Sequence, residues 1–314
     1  MLKSKLLFAF LLIAVLFSSL FWAGSHYKYD VYESAMAFER EQAKLSAKQL
    51  QVGHLDIAYL EGPRRAGEQT LLLIHGFGAT KENWIRFAAQ LTNRFHVVII
   101  DLPGHGESTK DLSLNYDIES QVDNVHQIAQ ALGLGQFNIA GNSMGGAISA
   151  LYAAKYPSEI KTVTLYDPAG IHDVESDLDK HLREGENPLI VSDTESFHRL
   201  LKFAMEKPPF IPWPITEVAA EKASQKQKIN AKIFTDISTG NKAIFKTELA
   251  KIDTPTQIIW GTEDRVINVG NAEVFEQLIK GSKKIIMQGI GHVPMIEVPK
   301  ESADMMAEFV INPA

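Results

Sequence analysis

A series of short apolar runs dominates the chain from residue 71 onward: LLLIHG (71–76), HVVIIDLPG (96–104), FNIAGNS (137–143), TVTLYDPAG (162–170), TQIIWG (256–261) and KKIIMQG (283–289). Unbroken apolar runs of this length fit strands covered on both sides, as in a parallel sheet. Between them lie amphipathic stretches at 82–93, 117–132, 144–156 and 270–280, where the spacing predicts helices. Such alternation specifies an α/β domain with helices on both faces of the sheet. QLQVG and LDIAYLEG read as an opening antiparallel pair, so the domain is expected to begin at residue 49.

From Ile171 to about Phe245 the rhythm stops. This interval carries charged helical stretches and then KPPFIPWPI (207–215), whose prolines forbid a regular helix or a central strand. It reads as a helical cap (171–245) inserted into an α/β core of 49–170 and 246–314. Phe210, Ile211, Trp213 and Ile215 are then contacts between cap and core, the lining of an acyl tunnel, or a surface for lipid.

No charge interrupts the chain from Leu6 to Gly24, and Lys3 and Lys5 precede it. As a helix this run reaches ~28 Å, the thickness of a bilayer's hydrocarbon core. The flanking lysines place the N-terminus in the cytoplasm and the remainder on the other side, the periplasm if the source is bacterial. The competing reading is a signal peptide cleaved near residue 25, giving a secreted protein. Residues 26–48 are polar with scattered Tyr32, Phe38 and Leu45, and suit either a juxtamembrane helix on the lipid surface or a solvated spacer.

With 31 basic and 38 acidic side chains the formal charge is −7, which repels a phosphate backbone and argues against nucleic-acid binding. The chain has no cysteine, so disulfides, thiolate metal sites and a Cys nucleophile are excluded. Neither H-E-x-x-H, a P-loop nor a dinucleotide fingerprint is present, and no metal or cofactor is expected. Oligomeric state is not legible.

The chemistry centres on Gly141-Asn142-Ser143-Met144-Gly145, a G-x-S-x-G between a strand run and a helical stretch. That is the context of a nucleophile elbow, in which glycines let strand and helix approach while the turn projects Ser143. The Met144 N–H faces the same space and can receive an oxyanion. A serine hydroxyl needs a base. His292, in Gly289-Ile290-Gly291-His292-Val293-Pro294 beyond the last strand run, is the choice over His75 and His105. The base needs an acid, and Asp264 in Gly261-Thr262-Glu263-Asp264-Arg265 is preferred to Asp167, which also follows a strand. The order Ser143, Asp264, His292 is that of this fold class. The glycine-rich loop His75-Gly76-Phe77-Gly78-Ala79-Thr80 offers the Phe77 N–H as second oxyanion donor. Phe77, Met144, Trp213 and Val293 are the expected substrate contacts.

HGFGATKENW, DLPGHGES, GNSMGGAISALYAAKYP, GTEDRV and GHVPMIEVP resemble the α/β-hydrolases, over about Gln49 to Phe309, and within them the bacterial lipase/esterase branch. They are similar also to the membrane-anchored monoacylglycerol lipases of animals. The resemblance implies a mostly parallel eight-stranded sheet, a cap over the acyl site, a Ser–His–Asp triad and hydrolysis of a lipid or small carboxylic ester. GNSMGGA resembles, too, the carbon–carbon bond hydrolases of aromatic catabolism, but those carry Trp after the catalytic His, where this chain has Val293. Relatives with an Asp nucleophile, the haloalkane dehalogenases and most epoxide hydrolases, do not fit Ser143. A third reading is an inactive, membrane-tethered binding protein on the same scaffold.

Overall fold

A computed structural model describes residue 10, residues 24–239 and residues 242–313. Eight strands form one sheet: β1 (Ser46–Val52), β2 (Leu55–Glu61), β3 (Thr70–Ile74), β4 (His96–Ile100), β5 (Phe137–Asn142), β6 (Ile160–Tyr166), β7 (Thr256–Gly261) and β8 (Lys283–Met287). Their order is β1-β2-β4-β3-β5-β6-β7-β8. β2 pairs antiparallel with both β1 and β4, and the remaining pairs are parallel. The mostly parallel sheet expected from the sequence is therefore present.

Strand side chains alternate between two separate cores, which is why the runs are apolar throughout. Leu72, Ile74, Val98, Ile100 and Ile139 enter one core; Leu71, Leu73, Val97, Ile99 and Ala140 enter the other. The first core is closed by α3 (Ile118–Ala131), α4 (Met144–Lys155) and α10 (Asn271–Leu278), the second by α2 (Ile85–Ala88) and α12 (Pro299–Ile311). The Asp117 carboxylate caps α3 by accepting the Ser120 N–H at 2.7 Å.

Three expectations change. The stretch 82–93 forms a 3₁₀ turn (Lys81–Trp84) and the four-residue α2, because the Lys81 side chain is drawn inward to Asp101 and the chain leaves α2 through turns at Gln90 and Leu91. β1 starts at Ser46, ahead of residue 49, and Ala43 and Leu45 before it are buried in the second core. Within 26–48 lies α1 (Lys28–Gln42), bound to protein along one side: Lys28 to Glu217 at 2.9 Å, Tyr29 Oη to Glu221 at 2.6 Å and Arg40 to Glu82 at 2.9 Å.

Between β6 and β7 lie α5 (Asp177–Arg183), α6 (Thr194–Ala204), α7 (Ile215–Ser224), α8 (Gln227–Ser238) and α9 (Lys242–Leu249). The proline-rich 207–214 has neither helix nor strand. Among the described residues no helix is long and apolar enough to cross a membrane. The apolar run from Leu6 lies, apart from Phe10 and Gly24, outside the described residues.

Candidate active site

Ser143 stands between β5 and α4 with φ 55° and ψ −120°, a left-handed backbone that a residue with a Cβ adopts only under constraint. The constraint is visible in its neighbours. A Cβ on Gly141 would lie 2.0 Å from the Gly145 carbonyl oxygen, and one on Gly145 would lie 2.4 Å from that of Ile74. Both glycines are therefore required for β3, β5 and α4 to meet. Ala147 N–H and Ala169 N–H both donate to the Ser143 carbonyl, at 3.0 and 2.9 Å, and fix the turn.

His292 and Asp264 meet at the C-terminal edge of the sheet. Asp264 follows β7, and its carboxylate is gripped on every side. Oδ1 accepts the backbone N–H groups of Val266 and Ile267 at 2.8 and 2.9 Å. Oδ2 accepts Trp260 Nε1–H at 3.1 Å and faces His292 Nδ1 at 2.8 Å. An ionised carboxylate only accepts, so the imidazole carries its proton on Nδ1 and presents Nε2 as the basic atom. Both side chains are buried, at 8% and 5% exposure, which strengthens the interaction between them.

The His292 loop is held by groups that motif spacing alone does not single out. Asn142 Nδ2, one residue before Ser143, donates to the His292 carbonyl at 2.9 Å and so ties the elbow to the imidazole's backbone. His292 N–H donates to Ala204 at the end of α6, at 2.8 Å. Glu297 braces the loop from behind: its carboxylate accepts the N–H groups of Gly291, Glu206 and Lys207 at 2.9, 2.9 and 2.7 Å. An acid five residues beyond the His was the available signal for Glu297, within GHVPMIEVP. Among the described residues no hydrogen bond joins Ser143 Oγ to His292; such links often tighten only around substrate.

Asp167 follows β6 with φ 45°, fully buried. One oxygen accepts Gly261 N–H at 2.9 Å; the other has no partner. Burial, and after it the Asp264 charge, pushes this carboxyl well above the ordinary range. Asp167, Asp264 and His292 bring one donor atom each within 4.8 Å of one another, a geometry open to a cation, although the His–Asp bond already engages two of the three.

The rival histidines lie buried against each other. His75 Nδ1 donates to the Gly76 carbonyl at 2.7 Å and Nε2 accepts Leu102 N–H at 3.1 Å, which fixes a neutral ring that burial keeps neutral. His105 is buried on it, edge to face at 4.9 Å, and burial lowers its pKa further.

Of the oxyanion candidates, neither the Phe77 nor the Met144 N–H has a protein acceptor among the described residues. The preceding Gly76 is close enough to Ser143 that a Cβ on it would lie 3.2 Å from the serine Cβ. The Phe77 ring is half-buried and packs edge to face on Phe234 of α8 at 5.5 Å. The Met144 side chain is buried in the first core, and Val293 packs against the second. Trp213 is 44% exposed; its ring lies over Gly24 and its Nε1 donates to Glu217 at 3.0 Å.

Residues 69–299 match the model of the alpha/beta hydrolase fold family. The chain is 37% identical over 281 residues to Lipase 1 of Psychrobacter immobilis, covering 88% of each, and 30% identical over 272 residues to a monoacylglycerol lipase of Xenopus laevis, covering 82% and 80%. The solved structure of a bacterial membrane phospholipase A superposes with a TM-score of 0.88 at 40% identity, over 97% of this chain and 98% of that one. Meta-cleavage product hydrolases share the fold at 21% identity with a TM-score of 0.72. The sheet order, the elbow between β5 and α4, and these matches agree: the chain is a member of the α/β-hydrolase family.

Proposed function

We propose that this α/β hydrolase is a lipase-type carboxylic ester hydrolase with Ser143 as nucleophile, His292 as base and Asp264 as acid. The observation that carries the reading is the 2.8 Å His292–Asp264 bond on a loop tied, through Asn142, to the strained serine turn. Ser143 Oγ attacks the ester carbonyl carbon as Nε2 of His292 takes its proton. The carbonyl oxygen becomes an oxyanion between the Phe77 and Met144 amides, each such donor lowering the barrier by roughly 3 kcal/mol. The imidazolium, stabilised by Asp264, protonates the leaving alcohol as the carbonyl re-forms. Water, deprotonated by His292, then releases the acid and restores Ser143.

A lipid ester is the substrate class favoured by the surroundings. Helices α5–α9 act as a cap, which meets the oxyanion loop through Phe77 and Phe234. Phe210 at 86% and Trp213 at 44% exposure form an apolar outer edge, and Trp213 lies on Gly24, the end of the apolar run. With 6–24 as an anchor, α1 leads from the bilayer onto the cap and holds that edge at the lipid surface, on the non-cytoplasmic side. Phe77, Met144 and Val293 then border the acyl path from the core side.

Ser143→Ala tests the assignment: p-nitrophenyl butyrate and monoacylglycerol hydrolysis, and labelling by a fluorophosphonate, are all lost while the circular dichroism spectrum is kept. Near-native turnover in that variant ends the proposal. Turnover of a vinylogous diketone with none of any ester moves it to carbon–carbon bond hydrolysis.

A further inference from the structure

The loop that carries His292 is fastened to the cap through backbone. Gly291 packs so closely on the end of α6 that a Cβ on it would lie 2.8 Å from both the Ala204 carbonyl oxygen and the Glu206 nitrogen. The His292 N–H donates to that same Ala204 carbonyl at 2.8 Å. Glu297 closes the contact from the end of the four-residue α11 (Pro294–Glu297). Its two oxygens divide between the two sides. Oε1 accepts the Gly291 N–H at 2.9 Å, whereas Oε2 accepts those of Glu206 and Lys207 at 2.9 and 2.7 Å. One half-buried carboxylate thus sets the spacing between the base's loop and the cap segment that leaves α6.

The same cap segment reaches the loop of Asp264. Arg265 pairs with the Glu206 carboxylate and donates to the Lys202 carbonyl at 3.4 Å. That ion pair lies at an exposed rim, where solvent screens it. The Glu297 clamp is of another kind: its three donors are backbone N–H groups, which cannot swing away, and each bond to the ionised carboxylate is charge-assisted. Glutamine cannot reproduce it, because the amide has one acceptor oxygen and an NH₂ group that only donates. With two N–H groups claiming the oxygen on the cap side, the NH₂ would confront the Gly291 N–H and release the loop next to His292.

We propose that Glu297 is a positioning residue for His292: its carboxylate ties the base's loop to cap residues 204–207, so that the imidazole's placement before Ser143 follows the placement of the cap. The inference rests on the proposed roles of Ser143 and His292 and adds a residue that touches neither substrate nor reacting atoms. Asn142 fixes the loop from the elbow side, at the His292 carbonyl, and Glu297 fixes it from the cap side, at the preceding N–H. A loop held at both ends of one peptide unit leaves the base little freedom to drift from its line of attack.

The test is kcat and KM of the full chain on p-nitrophenyl butyrate for wild type, Glu297→Gln, Glu301→Gln and Ser143→Ala, with circular dichroism of each. In Glu297→Gln kcat is expected to fall about tenfold or more with KM within about twofold, since displacing a catalytic group by about 1 Å costs up to about a hundredfold. A matched fall in kcat and kcat/KM marks an interaction realised in the transition state, which a merely structural brace would not give. Glu301→Gln removes the same charge from an exposed position on α12 and keeps the wild-type kcat. A fall in kcat of less than about fivefold in folded Glu297→Gln overturns the proposal, as does a rise in KM that exceeds the fall in kcat. If Glu297→Gln does not fold, Lys207→Pro decides: it deletes one donor to Glu297 from an exposed position outside helix and strand, and a wild-type kcat there overturns the proposal. Ser143→Ala separates the two claims. Near-native turnover in it ends the ester-hydrolase reading, whereas its loss beside full turnover in Glu297→Gln ends this inference alone.

Discussion

Asparagine at position 264 would retain one acceptor oxygen and replace the other with a donor. The two oxygens of Asp264 do different work. Oδ1 accepts two backbone N–H groups at 2.8 and 2.9 Å, which cannot turn away; Oδ2 faces the movable imidazole at 2.8 Å. The amide oxygen of Asp264→Asn therefore takes the first position and its NH₂ group confronts His292. Trp260 Nε1 keeps a second acceptor, the Ile267 carbonyl at 3.1 Å, so the indole does not hold the oxygen in place. Facing an NH₂ donor, the imidazole presents a lone pair at Nδ1 and carries its proton on Nε2, where it cannot accept from Ser143.

The wrong tautomer costs about 10⁴-fold in kcat where such triads have been altered, equivalent to about 5.4 kcal/mol of barrier. Stability should fall by only about 1–3 kcal/mol, the loss of a charged acceptor. The assay is kcat on p-nitrophenyl butyrate for wild type and variant, with urea unfolding of both at the same pH. A kcat within tenfold of wild type would refute the reasoning and pass the role of acid to Asp167, whose unpartnered oxygen lies in the same cluster. A kcat loss matched by global unfolding would instead make Asp264 a structural residue.

Three other outcomes follow from the same geometry. Ser143→Gly should be more stable than Ser143→Ala by about 1 kcal/mol, because φ 55° strains alanine and suits glycine; identical urea midpoints would mean the elbow stores no strain. Asp167→Asn should flatten the pH dependence of stability: burial raises the native carboxyl above the unfolded value of 3.8, so wild-type stability falls as pH rises beyond that value, and the variant gains on wild type over the same range. Parallel stability curves across that range would show Asp167 to be ionised in the fold. Lys81→Met should lower stability by about 3–5 kcal/mol, since it strands the fully buried Asp101, whose carboxyl burial raises but the Lys81 charge, foremost among the opposing influences, holds below the ordinary range; a loss under 1 kcal/mol in chemical denaturation would place the pair's weight on the backbone N–H groups of Lys81 and Glu107.

What the sequence makes legible depends on whether the controlling interaction is local. Each strand of β3–β5 is readable because burial on two faces leaves no polar position in Leu71–Ile74 or Val97–Ile100, and periodicity is a property of neighbouring residues. The elbow is readable because Gly141 answers a close approach to Gly145, within five residues. Helix 82–93 fails for the opposite reason: its turn is set by Lys81 reaching Asp101, twenty positions away, an ion pair with no periodic trace. The docking of α1 fails likewise, since Lys28 finds Glu217 and Glu221 across nearly two hundred residues, and a polar amphipath cannot announce whether its partner is lipid, water or protein.

The proposed acid and base are an intermediate case, and they show where motif reasoning stops. Spacing nominates two carboxylates after strands, Asp167 and Asp264, without ranking them by chemistry. The fold separates them by solvation. Asp264 receives four N–H groups, the imidazole's included. Asp167 receives one, in a site closed to solvent that pushes its carboxyl well above the ordinary range. The hydrogen-bond donors supplied by Trp260 and the 266–267 backbone converge on the one carboxylate that faces the imidazole. On that argument the indole at 260 is a positioning residue for the proposed chemistry, although it lies in a strand whose apolar pattern alone reads as core.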